Sequence, residues 1–310
     1  MIRYVIDRLM GAIPTFLVIV TGAFFLMRLA PGGPFDDLAD LPPEVLDNIK
    51  QSYNLDQPLH VQYLSFMKNA VTGNLGPSFS YQDYTVSELL AIGLPVSIKL
   101  GLVAITIAVI IGAIVGILAA LRKNSAFDYV IMGVAMTGIA VPSFVIAPLM
   151  MLLFGIYLKL LPISGWNNGA LAHMVLPVTA LAVPKIAVIA RLMRGNMLEI
   201  LRSDYIRTAR AKGMPERIVI MRHALKAAIL PLVSYLGPAV AAIMTGSVVI
   251  EVIFGLPGVG RYFVYGAINR DYPLVMGIVI FYATAIILLN LLVDILYGFL
   301  DPRVRQGKGS

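Results

Sequence analysis

The chain has 310 residues, of which 59% are hydrophobic and only 13% are charged, whereas a soluble domain is roughly 45–50% apolar and about 25% charged. The absence of cysteine excludes a disulfide framework, a thiol nucleophile and a thiolate metal site. The net charge of +7 does not indicate nucleic-acid binding, because the lysines and arginines flank long apolar runs, where membrane topology accounts for them.

Six apolar runs predict membrane-spanning helices, because each is long enough to cross a hydrocarbon core of about 30 Å. Five of the runs are free of charge, and the fourth contains Lys185. The predicted spans are residues 9–27, 100–121, 129–158, 174–190, 227–250 and 272–293. No small-residue cleavage site follows the first run, so we expect it to remain as a span. The sequence therefore predicts an all-α membrane protein.

The distribution of basic residues predicts the orientation of these spans. If both termini are cytoplasmic, 16 of the 24 lysine and arginine residues lie on the cytoplasmic side. The bias comes from the short loop after the second span and from the long loop between the fourth and fifth spans. The positive-inside rule therefore predicts six spans with both termini in the cytoplasm.

This topology divides the chain into four parts. They are an N-terminal transmembrane helix (1–30), a small extracytoplasmic subdomain (31–95), a transmembrane domain of five helices (96–300) and a cytoplasmic tail (301–310).

The predicted extracytoplasmic subdomain is acidic and has the signals of short helices. A helical pattern follows two prolines at 42–43, and Thr85 and Glu88 have the spacing of a capping box. Residues 60–71 are amphipathic, with Leu64, Met67 and Val71 on one predicted face. The acidity could attract basic ligands, but a solvated extracytoplasmic surface is the favoured explanation.

Common catalytic motifs are missing from the sequence. There is no GxxxxGK[ST] nucleotide-binding loop, no HExxH zinc motif and no GxSxG nucleophile turn. The three histidines are far apart in sequence. The glycine cluster at 255–260 follows a membrane helix rather than a strand, so it predicts a tight extracytoplasmic turn and not a dinucleotide site. We therefore expect a chain that is not itself an enzyme.

The cytoplasmic loop at 203–226 carries the strongest local signals. Ser203 is a suitable N-cap for a short helix over 204–212, and Gly213 suits the left-handed position after it. Pro215 is expected to open a second helix, with Glu216 near its positive end. The sharp bend and the small side chains of Ala209 and Ala211 are not needed for a merely solvated loop. They predict a docking surface for a cytoplasmic partner, whose residues are Arg207, Thr208, Ala209, Arg210, Ala211, Lys212, Gly213, Pro215 and Glu216.

This loop resembles the cytoplasmic loop of ABC-transporter permeases, whose general pattern is Glu-Ala-Ala-x3-Gly-x9-Ile-x-Leu-Pro. Arg207, Thr208, Ala209 and Gly213 stand at the Glu, Ala, Ala and Gly places. The chain departs from the general pattern at Arg207, His223 and Lys226. In these departures it is similar to the peptide-permease branch, in which ARAKG followed by RHAL is usual.

Further motifs resemble the same branch over essentially the whole chain. They include LMRLAPGGPF (26–35), NLDQP (54–58), GNLGPSF (73–79), VPSF (141–144), EVIFGLPGVGR (251–261), NRDYP (269–273) and DPRVR (301–305). LPPEVLDNI and SYQDYTVSELL are similar to the B-type subunit of oligopeptide permeases. The chain is thus similar to the permeases of binding-protein-dependent oligopeptide and dipeptide importers.

The resemblance implies a type I importer fold in a bacterial inner membrane, and a larger assembly. The implied partners are a second, C-type permease subunit, two cytoplasmic ATPases, an extracytoplasmic peptide-binding protein, the peptide and membrane lipid, with no nucleic acid. ATP and Mg²⁺ would be bound by the ATPases, leaving this chain with no cofactor or metal. The implied mechanism is alternating access, driven through the 203–226 loop.

Four polar residues in or near the spans are candidates for the translocation path, because intramembrane polar groups usually face a cavity or a partner. Lys185 either contacts a carboxylate of the peptide or of another helix, or extends from a helix end to the membrane surface. For Glu251, an ion pair with Arg261 or Arg270 is favoured over a contact with the peptide's amino terminus. Asn290 and Asp294, four residues apart on one face, are expected to join helices.

Two rival functions are less favoured, because the sequence lacks the features that each would need, and several rival cargoes remain open. A secondary transporter would be expected to have inverted repeats and more intramembrane carboxylates. An intramembrane enzyme would need a nucleophile beside a base. Within the importer class, the cargo could also be dipeptides, murein peptides, nickel chelates or opines, although the motifs of the predicted extracytoplasmic subdomain favour oligopeptides.

Overall fold

The computed structural model describes residues 2–35 and 42–300, apart from the side chains of 2–7, 294 and 296–300. All of its described regular elements are helices. In chain order they are α1 (Ile2–Leu29), α2 (Pro43–Ser52), α3 (Leu59–Val71), α4 (Val86–Leu121), α5 (Ala126–Ala140), α6 (Ser143–Met150, continued by π-helical turns Met151–Tyr157), α7 (Leu171–Ile200), α8 (Asp204–Ala211), α9 (Glu216–Ile218, continued by π-helical turns Val219–Ala224), α10 (Leu225–Ala228), α11 (Leu230–Ile253), α12 (Val259–Ile268) and α13 (Tyr272–Leu300). The predicted tail at 301–310 lies outside the described residues.

Five of the described helices are long and apolar enough to cross a membrane, and a bent pair makes a sixth if it counts as one span. The five are found in α1, α4, α7, α11 and α13. The predicted span at 129–158 is not one continuous helix, because the chain turns by 102° between α5 and α6. Pro142 stands at this break and lacks the N–H that a continuous helix would need.

The helix α4 begins at Val86, well before the predicted start of the second span at residue 100. The predicted capping box forms its first turn: Glu88 Oε2 accepts from Thr85 N at 2.8 Å, and Thr85 Oγ1 accepts from Glu88 N at 3.3 Å. The predicted domain boundary at residue 95 therefore lies inside one continuous helix.

The most extensive helix contact joins α4 to α7 and forms the centre of the main core. It depends on two glycines of α4. A Cβ atom added at Gly112 would lie 2.8 Å from Ile189 Cβ, and one added at Gly116 would lie 2.8 Å from Met193 Cβ. Small residues let two membrane helices approach closely enough for backbone contact. Either glycine replaced by a larger residue would force these helices apart.

The α2–α3 subdomain packs against α1 and the beginning of α13. The face of α3 that packs against α1 carries Tyr63, Phe66 and Met67. Of the predicted face, only Met67 is on this side, whereas Leu64 and Val71 are 63% and 84% exposed. The true apolar face is aromatic, since the Phe24 and Tyr63 rings meet edge to face at 5.2 Å.

Asp271 joins this subdomain to the start of α13. Its carboxylate is buried and accepts hydrogen bonds from Ser78 Oγ, from Ser80 N at 3.0 Å and from Leu274 N at 3.1 Å. These three donors satisfy the hydrogen-bonding capacity of the buried carboxylate. The subdomain and the bundle are therefore joined by a polar contact centred on Asp271.

Candidate functional site

The predicted docking loop forms a sharp bend between α8 and α9. The helix α8 ends at Ala211, one residue before the predicted end, and Lys212 follows as its C-cap. Gly213 has φ +76°, and its N–H donates to Arg210 O at 2.9 Å. A Cβ atom at Gly213 would meet nothing within 4 Å. Only the backbone conformation therefore requires glycine here, as the sequence predicts.

Two details of the predicted caps are wrong. The Ser203 hydroxyl donates to Ile200 O at 2.7 Å, and no side-chain cap is formed at the start of α8. Pro215 is the residue before α9, with ψ 138°, rather than its first residue. Glu216 is the first residue of α9 and does lie at its positive end.

Ala209 is only 5% exposed and packs against the chain's own core together with Ile206. The prediction that Ala209 forms part of the docking surface is therefore wrong, because this residue faces inward. It allows α8 to lie close to the rest of the chain. The other predicted residues are exposed and make up what we call the loop surface: Arg207, Thr208, Arg210, Ala211, Lys212, Gly213, Pro215 and Glu216.

A bidentate ion pair crosses the bend of the loop surface. Arg210 Nη2 donates to Glu216 Oε1 at 2.6 Å, and Arg210 Nε donates to Glu216 Oε2 at 3.0 Å. These hydrogen bonds lower the pKa of Glu216 and raise that of Arg210. Because both side chains are substantially exposed, we expect the pair to contribute under about 1 kcal/mol to stability. We expect it to help hold the angle between α8 and α9.

Exchange of these two charges tests that role. Arg210→Glu alone places two carboxylates at the bend, and we expect it to lower uptake by the assembled transporter several-fold. The double variant Arg210→Glu/Glu216→Arg restores opposite charges and should recover much of the loss if the bend angle matters. No recovery would mean that Arg210 acts by direct contact with a partner. Transport in reconstituted vesicles distinguishes the two results.

A second ion pair, which the sequence reasoning missed, lies nearby on the same side of the bundle. Asp128 is 1% exposed, and its two carboxylate oxygens accept from Arg194 Nε and Nη2, each at 2.6 Å. Asp128 Oδ2 also accepts from Asn124 N at 3.0 Å. The pair fastens the start of α5 to the last turns of α7, the helix that leads into α8. A prediction that α7 continues past residue 190 would have placed Arg194 on this helix and so could have suggested the pair with Asp128.

Lys185 lies at the midpoint of α7, about 21 Å from either end at ~1.5 Å per residue. The predicted span ends at residue 190, about 8 Å along the helix from Lys185, so the alternative in which this side chain extends to the membrane surface stays a prediction, as does its contact with a carboxylate. It is half-buried, and no ion pair or hydrogen bond joins it to another described residue. Any carboxylate that pairs with Lys185 must come from outside the described part of this chain.

Glu251 is fully buried near the end of α11. Its Oε2 accepts from Gly260 N at 2.7 Å, in the first turn of α12. The predicted ion pair with Arg261 or Arg270 is wrong: among the described residues, no ion pair includes Glu251. The glycines explain the geometry, because Gly255 makes the turn at φ +62° and a Cβ at Gly258 would collide with the carboxylate. The predicted tight turn after α11 is confirmed.

Asn290 and Asp294 are on α13. Asn290 faces α11, since a Cβ added at Gly237 would lie 3.1 Å from Asn290 Oδ1. This position suits the predicted contact between helices. The side chain of Asp294 lies outside the described residues.

Comparisons with known proteins agree over the length of the chain. Residues 112–306 match the family described as "Binding-protein-dependent transport system inner membrane component", and residues 1–101 match the N-terminal region of such components. The two matches meet within α4.

Two curated relatives have nearly the same extent as this chain. It is 53% identical to the oligopeptide transport system permease protein OppB of Salmonella typhimurium, over 98% of this chain and 100% of the relative. It is 45% identical to the dipeptide transport system permease protein DppB of Bacillus subtilis, over 99% of both chains.

A solved structure, described as an amino acid ABC transporter with histidines, shares the fold at 19% identity. Its TM-score is 0.51, and the match covers 70% of this chain and 94% of that one. This likeness concerns the fold alone. The family match and the full-length relatives carry the assignment: the chain belongs to the inner-membrane components of binding-protein-dependent transport systems.

Proposed function

We propose that this chain is a permease subunit of an ATP-driven importer of oligopeptides. The observation that carries the proposal is the 53% identity to an oligopeptide permease over the full length of that relative. Dipeptides are the second candidate cargo, because a full-length dipeptide permease is 45% identical.

The assembly that we propose contains a second permease of C type, two cytoplasmic ATPases and an extracytoplasmic peptide-binding protein. ATP and Mg²⁺ are bound by the ATPases, since this chain has no phosphate-binding loop sequence. The ATPases dock on the loop surface between α8 and α9. Many large apolar side chains of the spans are exposed in the single chain, and they are available to the second permease and to lipid.

The packing of α8 supports a mechanical role for the loop surface. Ile206 and Ala209 on its inner face belong to the same buried cluster as Met193 and Met197 of α7. A displacement of α8 by a docked ATPase must therefore move the end of α7, because a close-packed core does not deform freely. In alternating access, this movement would open and close the translocation path. We retain Lys185 as a candidate contact for a carboxylate of the cargo or of the second permease.

Reconstitution tests this function. The chain, a C-type permease and both ATPases are placed in vesicles with the binding protein outside, and uptake of labelled peptides of two to six residues is followed. We expect ATP-dependent uptake that requires every component. Uptake by this chain alone, or uptake driven by an ion gradient without ATP, would contradict the proposal. Uptake restricted to dipeptides would replace oligopeptides with the second candidate cargo.

A further inference from the structure

The short helix α12 receives its N-terminal cap from two other helices. The first N–H groups of any helix have no partner within that helix, and the N-cap residue of α12 is Gly258, which has no side chain to bond them. Val259 N donates instead to Ser97 Oγ of α4 at 2.9 Å, and Gly260 N donates to Glu251 Oε2 of α11 at 2.7 Å. The start of α12 is therefore bonded to α4 and to α11 at the same time.

The backbone of α12 also lies directly on these two helices. A Cβ atom added at Gly93 of α4 would lie 2.9 Å from Val259 N, and one added at Gly260 would collide with the backbone of Val248 in α11. Glycine at both positions permits this close approach of backbone to backbone. A small separation of α4 from α11 would therefore be felt at once by the start of α12.

This contact is at the end of the bundle opposite the loop surface. The helix α11 runs from Leu230, near the loop surface, to Ile253, beside the start of α12. Because α12 also packs against α13, it joins three of the spans at this end. Left-handed residues stand on both sides of it, with φ +62° at Gly255 and φ +53° at Arg270. The helix α12 is thus a separate unit between two turns and not an extension of α11 or α13.

We propose that Ser97 and Glu251 form a shared cap that holds α12 across α4 and α11 and keeps this end of the bundle closed. Alternating access requires each end of the translocation path to open in turn. When α4 and α11 separate at this end, α12 must lose at least one of the two acceptors, because each acceptor belongs to a different helix. The two hydrogen bonds therefore stabilise the closed arrangement. This inference rests on the proposed transport mechanism and adds two residues that position its gate.

The opening of α12 can be measured with a single introduced cysteine, because the chain has none of its own. Val259→Cys places a thiol at a fully buried position in the first turn of α12. A membrane-impermeant maleimide, added to vesicles of the assembled complex on the side of the binding protein, reacts with this thiol only when α12 opens. The labelling rate therefore reports the opening equilibrium. Leu256→Cys, which is also fully buried, is the second probe.

Removal of either acceptor should favour the open state. We expect Ser97→Ala and Glu251→Ala each to raise the labelling rate about tenfold, because a buried N–H is left without an acceptor in the closed state. Glu251→Gln keeps an oxygen that can accept from Gly260 N and should raise the rate much less. Ser234→Ala is the matched control, because its hydroxyl bonds within α11 near the opposite end of that helix, and it should leave the rate unchanged.

A wedge between the helices tests the same contact without changing the cap. Gly93→Ala places a methyl group against Val259 N and should also raise the labelling rate. Gly101→Ala on the same helix is its control, because a Cβ atom there meets only Ile243 Cγ2 at 3.4 Å. Peptide uptake and the thermal unfolding temperature of each complex are measured alongside, so that a folding defect is recognised.

The role of the cap in transport is tested with nucleotide. In the assembled complex, the labelling rate of Val259→Cys should differ several-fold between the nucleotide-free state and the state with a non-hydrolysable ATP analogue, and Ser97→Ala should reduce this difference.

Rates that Ser97→Ala and Glu251→Ala leave unchanged would overturn the shared cap. Rates that both variants raise but that nucleotide does not change would mean that the cap serves folding alone, and would overturn its role as a gate while peptide import remains. A complex that imports no peptide at all would instead contradict the proposed function itself.

Discussion

Replacement of Gly213 by proline is expected to abolish uptake by the assembled importer while the protein remains inserted in the membrane. Proline fixes φ near −65°, whereas Gly213 has φ +76° and uses its N–H to bond Arg210 O. The bend between α8 and α9 cannot form with this residue, so the loop surface loses its shape. Uptake into vesicles and the amount of chain in the membrane fraction are the two measurements.

Asparagine is the informative control at this position, because it adopts the left-handed conformation more readily than other residues. Gly213→Asn should keep most of the activity, since a Cβ at Gly213 meets nothing within 4 Å. Gly73→Ala introduces the same kind of backbone strain at φ +78°, also in open space, but in the turn after α3. Wild-type uptake by Gly213→Pro, or an equal loss in Gly73→Ala, would contradict a specific role for this bend.

Removal of Arg194 should destabilise the chain by up to about 3–5 kcal/mol, because the Asp128 carboxylate is left buried without its partner, whereas removal of Asp128 should cost less, because Arg194 is 27% exposed. Asp128→Asn keeps an acceptor for Asn124 N but loses the charge, and Arg194→Met leaves the carboxylate without its partner. We expect both single variants to lower the thermal unfolding temperature in detergent. Because α5 is then free to separate from the end of α7, ATP hydrolysis should continue with less transport.

The double variant Asp128→Asn/Arg194→Met tests the charge explanation. It removes both ions and should be more stable than the sum of the single losses predicts, because neither charge is left buried alone. Strictly additive losses would mean that the two side chains act separately.

The features that sequence reasoning predicted well are those fixed by neighbouring residues. The capping box of Thr85 and Glu88 and the left-handed turn at Gly213 depend on three or four consecutive positions. Apolar length likewise identifies the spans, because it measures whether a segment can exist in lipid. The length of an apolar run does not reveal whether the helix axis changes direction within it. The 102° turn between α5 and α6 was therefore not predicted, although Pro142 is visible in the sequence.

The features that sequence reasoning missed depend on contacts between distant parts of the chain. Asp128 and Arg194 are 66 residues apart, and nothing in either local pattern refers to the other. Ala209 was assigned to the partner-facing side because small residues suit any close contact, with a partner or with the chain itself. The surroundings of Glu251 could not be foreseen either, since they require three helices and the turn before α12 to meet.

The 36 residues of α4 make a rod of about 54 Å at ~1.5 Å per residue, well beyond the ~30 Å of a hydrocarbon core. One end is anchored along α7, near the loop surface, and the other begins beside Asp271 and the α2–α3 subdomain. If ATPases dock at the loop surface as proposed, we expect this rod to act as a lever arm, so that a tilt of a few degrees at that end becomes a displacement of several ångströms at the opposite tip. Because the chain contains no cysteine, a single cysteine introduced at the start of α4 could carry a fluorescent label. We expect the signal of that label to change with the nucleotide state of the proposed ATPases.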